Sequence, residues 1–316
     1  MLLNTKNELI LPGPVESALP VSMPELALGT ALADERFQVL EHVHANAYSS
    51  VYRAVDWNGE GEVAVKIFHE PYERIKRRVD RELEAHLLLD GQPGIVATRS
   101  MGTLELADED QTRRYVATEF ATRGTLSRVI REESWDLDMV LGMASKVIPA
   151  LELMHEQGMV HRDVKPDNIL AYKDADEWAL NDFGLVERVA EVNPSSNLHG
   201  LGSIAICEAE TVTFGVPGTP GFIAPESLKD NEAVGPEVDI FALGVTLFNA
   251  ATGQMPFSSG GFEEYAWAVT NESPVSVRDL QSSVPASFDQ LTAECLRKDP
   301  RDRPTAEGLL SSLQAV

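Results

Sequence analysis

The sequence predicts an α+β protein with two unequal lobes: a small β-rich lobe that carries one helix, then a larger helical lobe. Three observations lead to this class. The 316 residues exceed what one hydrophobic core usually serves, because single cores stop growing at about 250–300 residues. Runs with strand-like alternation fill the first third of the chain, and helical periodicity dominates after Gly124.

Hydrophobic periodicity places the individual elements. Residues 74–89 have the spacing of an amphipathic helix, with an apolar stripe at Ile75, Val79, Leu83 and Leu87. Strands of the first lobe are predicted at 37–43, 50–56, 62–68, 95–104 and 113–120. Helices of the second lobe are predicted at 137–157, 238–251, 288–296 and 305–313. The second of these is apolar on nearly every side, which predicts a fully buried helix.

Composition indicates the domain boundaries. Residues 1–33 contain prolines at 12, 14, 20 and 24 and show no clear periodicity, so we expect a mobile or loosely docked arm. Residues 34–316 are expected to form one domain. Its small lobe is predicted to cover about 34–120 and its larger lobe about 121–316.

The strong negative charge limits the possible partners. At a formal net charge of −24, nucleic acid is not an expected partner, because binding phosphates requires a basic face. No apolar run is long enough to span a membrane, which takes about 20 apolar residues. The two cysteines, Cys207 and Cys295, are typical of a protein in a reducing compartment, so we expect a cytoplasmic location.

Residues 161–168, His-Arg-Asp-Val-Lys-Pro-Asp-Asn, form the most specific motif in the chain. Asp163 can orient a substrate hydroxyl and accept its proton, and Lys165 can offset the charge of a transferring phosphate. Asn168 can supply an oxygen ligand to Mg²⁺. A solvated polar turn is the competing interpretation, but so many matched positions rarely arise by chance.

Two further motifs favour the same phosphoryl-transfer chemistry. Residues 182–184 read Asp-Phe-Gly after a predicted hairpin, where Asp182 can chelate the Mg²⁺ ions that bridge the phosphates of ATP. Lys66 ends a strand with the sequence Val-Ala-Val-Lys and can contact the α- and β-phosphates. Its carboxylate partner is predicted to be Glu82, near the packed face of the predicted helix, with Glu84 as the alternative.

With these motifs, the chain resembles the eukaryotic-type serine/threonine protein kinases, and within them the bacterial branch, over about residues 36–315. Residues 218–226, Gly-Thr-Pro-Gly-Phe-Ile-Ala-Pro-Glu, are similar to the segment that closes the activation loop and receives the protein substrate. The resemblance implies the bilobal protein kinase fold, with ATP and Mg²⁺ as cofactors and Ser or Thr hydroxyls of proteins as acceptors. Residues 161–168 would be the catalytic loop. Asp239 resembles the acid that braces this loop, and Arg303 the arginine that pairs with Glu226.

The resemblance also implies a nucleotide pocket and a substrate site. Residues 119–121 would be the hinge whose backbone bonds adenine, and Thr118 would guard the back pocket. Lys165 and Thr219 mark acceptors of the serine/threonine type, and Thr219 would dock the substrate. The residues implied to bind the nucleotide are Val43, His44, Asn46, Ser49, Val51, Ala64, Lys66, Glu82, Thr118, Glu119, Ala121 and Leu170.

The sequence departs from the family in the phosphate loop (residues 44–49). The family carries three glycines there before a valine, and counting back from Val51 these positions hold His44, Asn46 and Ser49. Glycine lets backbone amides approach phosphates closely. We therefore expect this loop to hold ATP less closely than a glycine loop does.

Control through the activation loop is a further implication of the resemblance. Arg162 precedes the catalytic aspartate, and kinases with this arginine tend to be switched when a loop phosphate pairs with the otherwise unpaired cation. Thr211 and Thr213 are the expected phosphorylation sites. A homodimer is a possible partner arrangement, in which one copy would phosphorylate the other.

Three functions remain open from the sequence. An active serine/threonine protein kinase is favoured, because the motif lysine, both aspartates and the asparagine are all present. A pseudokinase, which would bind a partner with or without nucleotide, is supported by the glycine-free loop. The third is a small-molecule kinase of the antibiotic-phosphotransferase type, which shares the Asp and Asn of the catalytic loop. Such kinases lack the Gly-Thr-Pro…Ala-Pro-Glu segment that this chain has.

Overall fold

The structure is a computed structural model that describes residues 26–33, 35–46, 48–59, 61–69, 73–105, 112–132, 136–173, 177–189, 212–213, 216–217, 219–228, 235–257 and 260–316. A sheet with one helix precedes a mainly helical lobe. The predicted α+β class with two unequal lobes is therefore confirmed.

The small lobe is an antiparallel six-stranded sheet with the order β1-β2-β3-β4-β6-β5. Its strands are β1 (Ala31–Leu32), β2 (Phe37–Ala45), β3 (Ser49–Asp56), β4 (Glu62–Phe68), β5 (Thr98–Glu105) and β6 (Thr112–Glu119). Alternation along β4 buries Val63, Val65 and Ile67 in an apolar cluster. Ala64 and Lys66 therefore lie on the opposite face of the sheet.

The sheet begins before the domain boundary that the composition suggested. Leu32 of β1 pairs with Phe37 of β2 and is only 2% exposed. Backbone pairing and apolar contact thus hold these residues on the sheet, although residues 1–33 have the composition of an arm. Residues 1–25 of that predicted arm lie outside the described part of the chain.

The helix of the small lobe, α1 (Glu73–Leu89), matches the predicted helix to within one residue. Its buried face differs from the predicted apolar stripe, because Leu87 is 69% exposed whereas Glu82 and His86 are buried. Glu82 and His86 are one helical turn apart and face the same side. Glu82 bonds Lys66 of β4, so a polar contact sets the rotation of this helix.

Helices are the main secondary structure in the described part of the larger lobe. They are α2 (Leu126–Glu132), α3 (Leu137–Glu156), α4 (Glu237–Thr252), α5 (Phe262–Asn271), α6 (Val277–Leu280), α7 (Ala286–Cys295) and α8 (Ala306–Leu313). Short 3₁₀ helices cover Pro166–Asn168, Pro225–Leu228 and Pro300–Asp302. Among the described residues, no helix combines the length and apolar character needed to cross a membrane.

Helix α4 forms the centre of the larger lobe and is buried along nearly its whole length, as its apolar sequence predicts. It approaches α7 very closely. A Cβ on Gly244 would lie 2.5 Å from the Cβ of Cys295, so glycine is required at this crossing.

Short paired strands hold the motif segments of the larger lobe. They are β7 (Gly124–Thr125), β8 (Met159–Val160), β9 (Ile169–Ala171), β10 (Trp178–Leu180), β11 (Glu187–Arg188), β12 (Val212–Thr213) and β13 (Val216–Pro217). β9 pairs with β7 and β10, β8 with β11, and β12 with β13. Residues 161–168 therefore connect β8 to β9, and residues 182–184 lie between β10 and β11.

A buried ion pair ties the segment after the activation loop to the end of the domain. The Arg303 guanidinium donates to Glu226 Oε1 at 2.5 Å and Oε2 at 2.7 Å, and the two side chains are 0% and 4% exposed. Arg303 also donates to the carbonyl oxygens of Arg297 at 2.8 Å and Glu237 at 2.9 Å. This two-pronged geometry and the additional carbonyl partners offset the cost of burying both charges.

We expect Arg303→Met to lower the free energy of unfolding by about 3–5 kcal/mol, because it leaves the Glu226 carboxylate buried without its cation. Arg301→Met is the matched control, since the Arg301 side chain is 86% exposed and exposed substitutions change stability by about 0.5 kcal/mol or less. Chemical denaturation measures both variants. An equal loss of stability in the two variants would show that the buried ion pair contributes no more to stability than the exposed arginine does.

Candidate active site

Lys66 lies at the junction of the two lobes. Its Nζ donates to Glu82 Oε1 of α1 at 2.5 Å and to Asp182 Oδ1 at 2.8 Å. The alternative partner, Glu84, points away and pairs with Arg188 at 2.9 Å on an exposed surface. The structure thus brings together a lysine from the sheet, a glutamate from the helix and an aspartate from the larger lobe.

The charges around Lys66 set one another's protonation. Burial alone would lower the pKa of Lys66, but the negative charges of Asp182 and Glu82 raise it above its usual value. Burial would raise the pKa of Asp182, but Lys66 and other cations hold it well below its usual range. Burial, with Asp182 as a second negative charge on the same amine, raises the pKa of Glu82 against the pull of Lys66. Lys66 is therefore a cation at neutral pH, and Asp182 is an anion.

Asp182 is held by the residue that follows it. Its backbone is left-handed at φ +63°, which non-glycine residues rarely adopt. Phe183 is fully buried, with its ring centroid 4.9 Å from that of His86 and 5.7 Å from that of His161. The packed ring fixes this backbone and so keeps the Asp182 carboxylate directed toward Lys66.

Hydrogen-bond donors converge on the Asp163 carboxylate. Asn168 Nδ2 donates to Asp163 Oδ2 at 2.9 Å, and Lys165 Nζ lies 3.0 Å from the same oxygen. Thr219 Oγ1 donates to Asp163 Oδ1 at 2.9 Å and accepts from Lys165 Nζ at 2.5 Å. Because Thr219 comes from the segment that resembles a substrate-docking region, these bonds join that segment to the catalytic loop.

A buried carboxylate braces the start of the catalytic loop. Asp239 is 0% exposed, and its Oδ2 accepts from the backbone N–H of His161 at 2.8 Å and from His155 Nε2 at 2.9 Å. Its Oδ1 accepts from the backbone N–H of Arg162 at 2.7 Å. Burial would raise the pKa of Asp239, but the hydrogen bond and charge of His155 lower it. These bonds stabilise the left-handed backbone of Arg162 at φ +67°, immediately before Asp163.

The side chain of Arg162 already has an acidic partner. Its guanidinium contacts the carboxylate of Glu187 in β11, and the two side chains are 12% and 17% exposed. Burial lowers the pKa of Arg162 to about 10, which still leaves it charged at neutral pH. The expectation that this cation is unpaired is wrong. Glu187 pairs in register with Val160 of β8, so the strand pairing carries the acid to the arginine.

The phosphate loop closes on itself without glycine. Asn46 Oδ1 accepts from the backbone N–H of Tyr48 at 2.8 Å and of Ser49 at 2.9 Å. The backbone N–H of Asn46 donates to the Ser49 carbonyl at 2.9 Å. Asparagine thus supplies the turn hydrogen bonds of this hairpin. Two amides that a glycine loop would turn toward phosphates are bonded inside the loop.

Several residues implied to bind nucleotide share one face of the sheet. Val51 pairs with Lys66, and Ala64 pairs with Thr118, and directly paired side chains point to the same side. Thr118 is buried at 7% exposure. These four side chains therefore line one surface, which is opposite the apolar cluster of the small lobe.

The remaining residues implied to bind nucleotide differ in their location and in their exposure. Ala121 follows β6 and is 8% exposed, and Leu170 of β9 is partly buried. Glu119 ends β6, and its side chain pairs with Arg99 at 3.0 Å. Val43 and His44 are exposed at the end of β2.

The two predicted phosphorylation sites are the least described. Thr211 lies outside the described residues, and of Thr213 only the backbone is described, in β12.

Three residues of this site were not singled out in the sequence. Glu187 follows the Asp-Phe-Gly motif closely, but only strand pairing reveals that it faces Arg162. Arg78 lies one helical turn before Glu82, so helical spacing could have placed it on the same face. Tyr48 is an aromatic residue within the phosphate loop, and only the folded structure places its ring against Arg78.

The model of the protein kinase domain family matches residues 37–313. This range includes strands β2 to β6 of the sheet, α1, residues 161–168 and all described helices of the larger lobe. The chain therefore belongs to the protein kinase family.

Curated relatives support the bacterial serine/threonine branch. The chain is 29% identical over 290 residues to serine/threonine-protein kinase PksC of Streptomyces coelicolor and 29% identical over 280 residues to PknL of Mycobacterium tuberculosis. These alignments cover 89% and 87% of this chain, but 49% and 64% of the relatives. The chain thus spans less than two thirds of the length of either relative. The resemblance inferred from the motifs is confirmed.

A solved structure supports the fold independently. The protein is similar to a crystal structure of Rad53 1–466 in complex with AMP-PNP, with a TM-score of 0.68 and 24% sequence identity. The similarity covers 91% of this chain and 67% of that chain. It confirms the bilobal protein kinase fold.

The residues predicted to bind Mg²⁺ fit the oxygen chemistry of that ion. Asp182 is ionised, and its side chain is 29% exposed. Asn168 uses its amide nitrogen to bond Asp163, which leaves its amide oxygen as the coordinating atom. Asn181 donates its backbone N–H to the Asn168 carbonyl at 2.9 Å, so Asn168 and Asp182, the two residues predicted to bind the ion, lie on adjoining segments. Asp182 and Asn168 would hold Mg²⁺, which when bound supplies positive charge at the phosphates.

Asp182→Asn should remove the part of ATP affinity that depends on Mg²⁺, because an amide is a poorer ligand than a carboxylate for a hard cation. Titration calorimetry with and without Mg²⁺ measures this dependence. Asp167→Asn is the matched control, since Asp167 is an exposed residue of the catalytic loop. If Mg²⁺ still strengthened ATP binding to Asp182→Asn as in the parent, the metal ligand would be another residue.

Proposed function

We propose that the chain is an active ATP-dependent protein serine/threonine kinase. The observation that carries this proposal is the contact of Asp163 and Lys165 with Thr219. It joins Asp163, the base of the proposed reaction, to the segment that would receive a peptide. A small-molecule kinase has no need of such a contact, because its acceptor does not arrive as part of a polypeptide.

In the proposed reaction, the acceptor oxygen bonds to the γ-phosphorus of ATP, and the bond from that phosphorus to the β–γ bridging oxygen breaks to release ADP. The proton of the hydroxyl goes to the Asp163 carboxylate. Lys165 would offset charge on the phosphoryl group in transit, and Lys66 would position the α- and β-phosphates. The adenine would lie against Val51 and Ala64, with its edge at the backbone of 119–121.

Several points support acceptors of the serine/threonine type. Lys165 and Thr219 are the residues that mark this class in the family, and they bond each other here. The relatives PksC and PknL are named as serine/threonine-protein kinases. The net charge of −24 would favour basic substrates. The presence of only two cysteines is consistent with a reducing, cytoplasmic setting.

A pseudokinase is the second candidate, and the phosphate loop favours it. With the amides of Tyr48 and Ser49 bonded to Asn46, the loop offers fewer donors to a phosphate than a glycine loop does. In this alternative the chain would fold and engage a partner, with or without nucleotide, and would transfer no phosphate.

Transfer of labelled phosphate from ATP to generic protein acceptors decides between the two candidates. The parent protein should transfer phosphate, and Lys66→Met should abolish transfer without unfolding the domain, because Lys66 positions phosphates. Lys76→Met, an exposed substitution on α1, should behave as the parent. A parent without activity would favour the pseudokinase, and more than about a tenth of parental activity in Lys66→Met would contradict the role of Lys66.

We also propose that autophosphorylation between two copies, at Thr211 or Thr213, tunes the kinase. A phosphothreonine carries about −1.5 to −2 charges, more than the single charge of Glu187, so it would compete for Arg162. The contact of Arg162 with Glu187 supports an unphosphorylated form that already has basal activity. Phosphorylation would then raise activity rather than create it.

Combined Thr211→Ala and Thr213→Ala should lower the transfer rate several-fold, because no phosphate can then reach Arg162. Adding Glu187→Gln should deepen the loss, since Arg162 would keep neither anion as a partner. Mass spectrometry after incubation with Mg-ATP locates the phosphates, and Ser203→Ala serves as a control within the same loop. A loop that stays unmodified in an active preparation would rule out this form of control.

A further inference from the structure

Arg78 and Tyr48 connect helix α1 to the phosphate loop. The guanidinium carbon of Arg78 lies 4.5 Å from the ring centroid of Tyr48, within the range of a cation–π interaction. Tyr48 also packs on a small apolar cluster that includes Phe68 and Val79, and its carbonyl accepts from the backbone N–H of His69 at 2.7 Å. The loop is therefore fastened to the helix through an aromatic side chain.

The same guanidinium reaches the Asp-Phe-Gly segment. A Cβ on Gly184 would lie 2.8 Å from Arg78 Nη2, so the side chain rests against the backbone of this glycine. Against the effect of burial, the charge of Arg78 acts together with Lys66 to lower the pKa of Asp182. Arg78 thus lies between the phosphate loop and the residue predicted to bind Mg²⁺.

One hydrogen-bond donor of the Arg78 guanidinium takes no part in these contacts. Its Nη1 is buried and has no hydrogen-bond partner within the described part of the chain. A buried donor of a charged group without a partner costs free energy. Guanidinium N–H groups are well suited to oxyanions, and phosphate is the oxyanion that this cleft would take under the proposed function.

We propose that Arg78, held in place by Tyr48, binds a phosphate of the nucleotide. It would thereby supply a phosphate contact that the backbone amides of the glycine-free loop do not make. Asn46 occupies the amides of Tyr48 and Ser49, so a side-chain cation from α1 takes over part of their task. Tyr48 is the positioning residue of this pair. This inference rests on the proposed function, because it requires that the cleft bind ATP.

A phosphate on the activation loop offers the same chemistry as a phosphate of ATP. The two sources are separated by working in the Thr211→Ala, Thr213→Ala background, which cannot carry phosphate at the proposed sites. Calorimetric affinities for ATP, ADP and adenosine then report on the nucleotide phosphates alone.

In this background Arg78→Gln should weaken the binding of ATP about ten-fold and leave the affinity for adenosine unchanged. Arg77→Gln, the same substitution at an exposed neighbouring position, should leave both affinities unchanged. Comparing ATP with ADP shows whether the γ-phosphate or an inner phosphate is the contact. Thermal melting verifies that each variant is folded.

Tyr48 provides a second test. Tyr48→Phe keeps the aromatic ring and should preserve ATP affinity, whereas Tyr48→Leu should weaken it in the same way as Arg78→Gln. The double variant Tyr48→Leu, Arg78→Gln should be no worse than Arg78→Gln alone, because the two side chains act as one unit.

Three results would overturn the inference: equal losses for ATP and adenosine, equal behaviour of Arg78→Gln and Arg77→Gln, or additive losses in the double variant. The first would indicate a general structural role for Arg78. If the parent protein bound adenosine and ATP equally weakly, that result would contradict the proposed kinase function, and this inference would be contradicted as well.

Discussion

One ammonium group, that of Lys66, joins three parts of the molecule. It is carried on β4, and it bonds one carboxylate from helix α1 and another from the segment after β10. Glu82 is almost completely buried, and a buried carboxylate without a cation is strongly unfavourable. The rotation of α1, the direction of Asp182 and the approach of the two lobes therefore depend on the same amine.

A second buried carboxylate organises the larger lobe by a different means. Asp239 takes its partners mainly from the backbone, through the N–H groups of His161 and Arg162. Those bonds shape the chain at the point where it enters the catalytic loop. The small lobe thus relies on ion pairs between side chains, whereas the larger lobe uses a carboxylate that is bonded to the backbone.

Two parts of the site have contacts that the family pattern did not indicate. A carboxylate from β11 pairs with Arg162, where the family pattern led us to expect an unpaired cation. Asn46 closes the phosphate loop, and Arg78 of α1 lies behind it against Tyr48. In both cases the contact joins groups from neighbouring structural elements, because a buried charge or donor needs a partner that is close in space, whatever its distance in sequence.

The sequence by itself determined the fold class, five of the six strands of the small lobe, five of the eight described helices, and the family. Period-two and period-3.6 patterns are local, so β4 and α1 were placed almost at their observed ends. The motif around Asp163 was specific enough to indicate phosphoryl transfer, because its residue types and their order match the needs of that chemistry. The choice of Glu82 over Glu84 also followed from helical geometry.

The tertiary structure decided which side chains contact one another and which are exposed. Leu87 belongs to an apolar stripe by spacing, yet it is exposed, because the ion pair of Glu82 with Lys66 fixes the rotation of α1. Glu187 meets Arg162 only because β11 pairs with β8. Arg78 reaches Tyr48 only because the loop folds over the helix. These contacts join residues far apart in the chain, and local periodicity carries no information about such pairings.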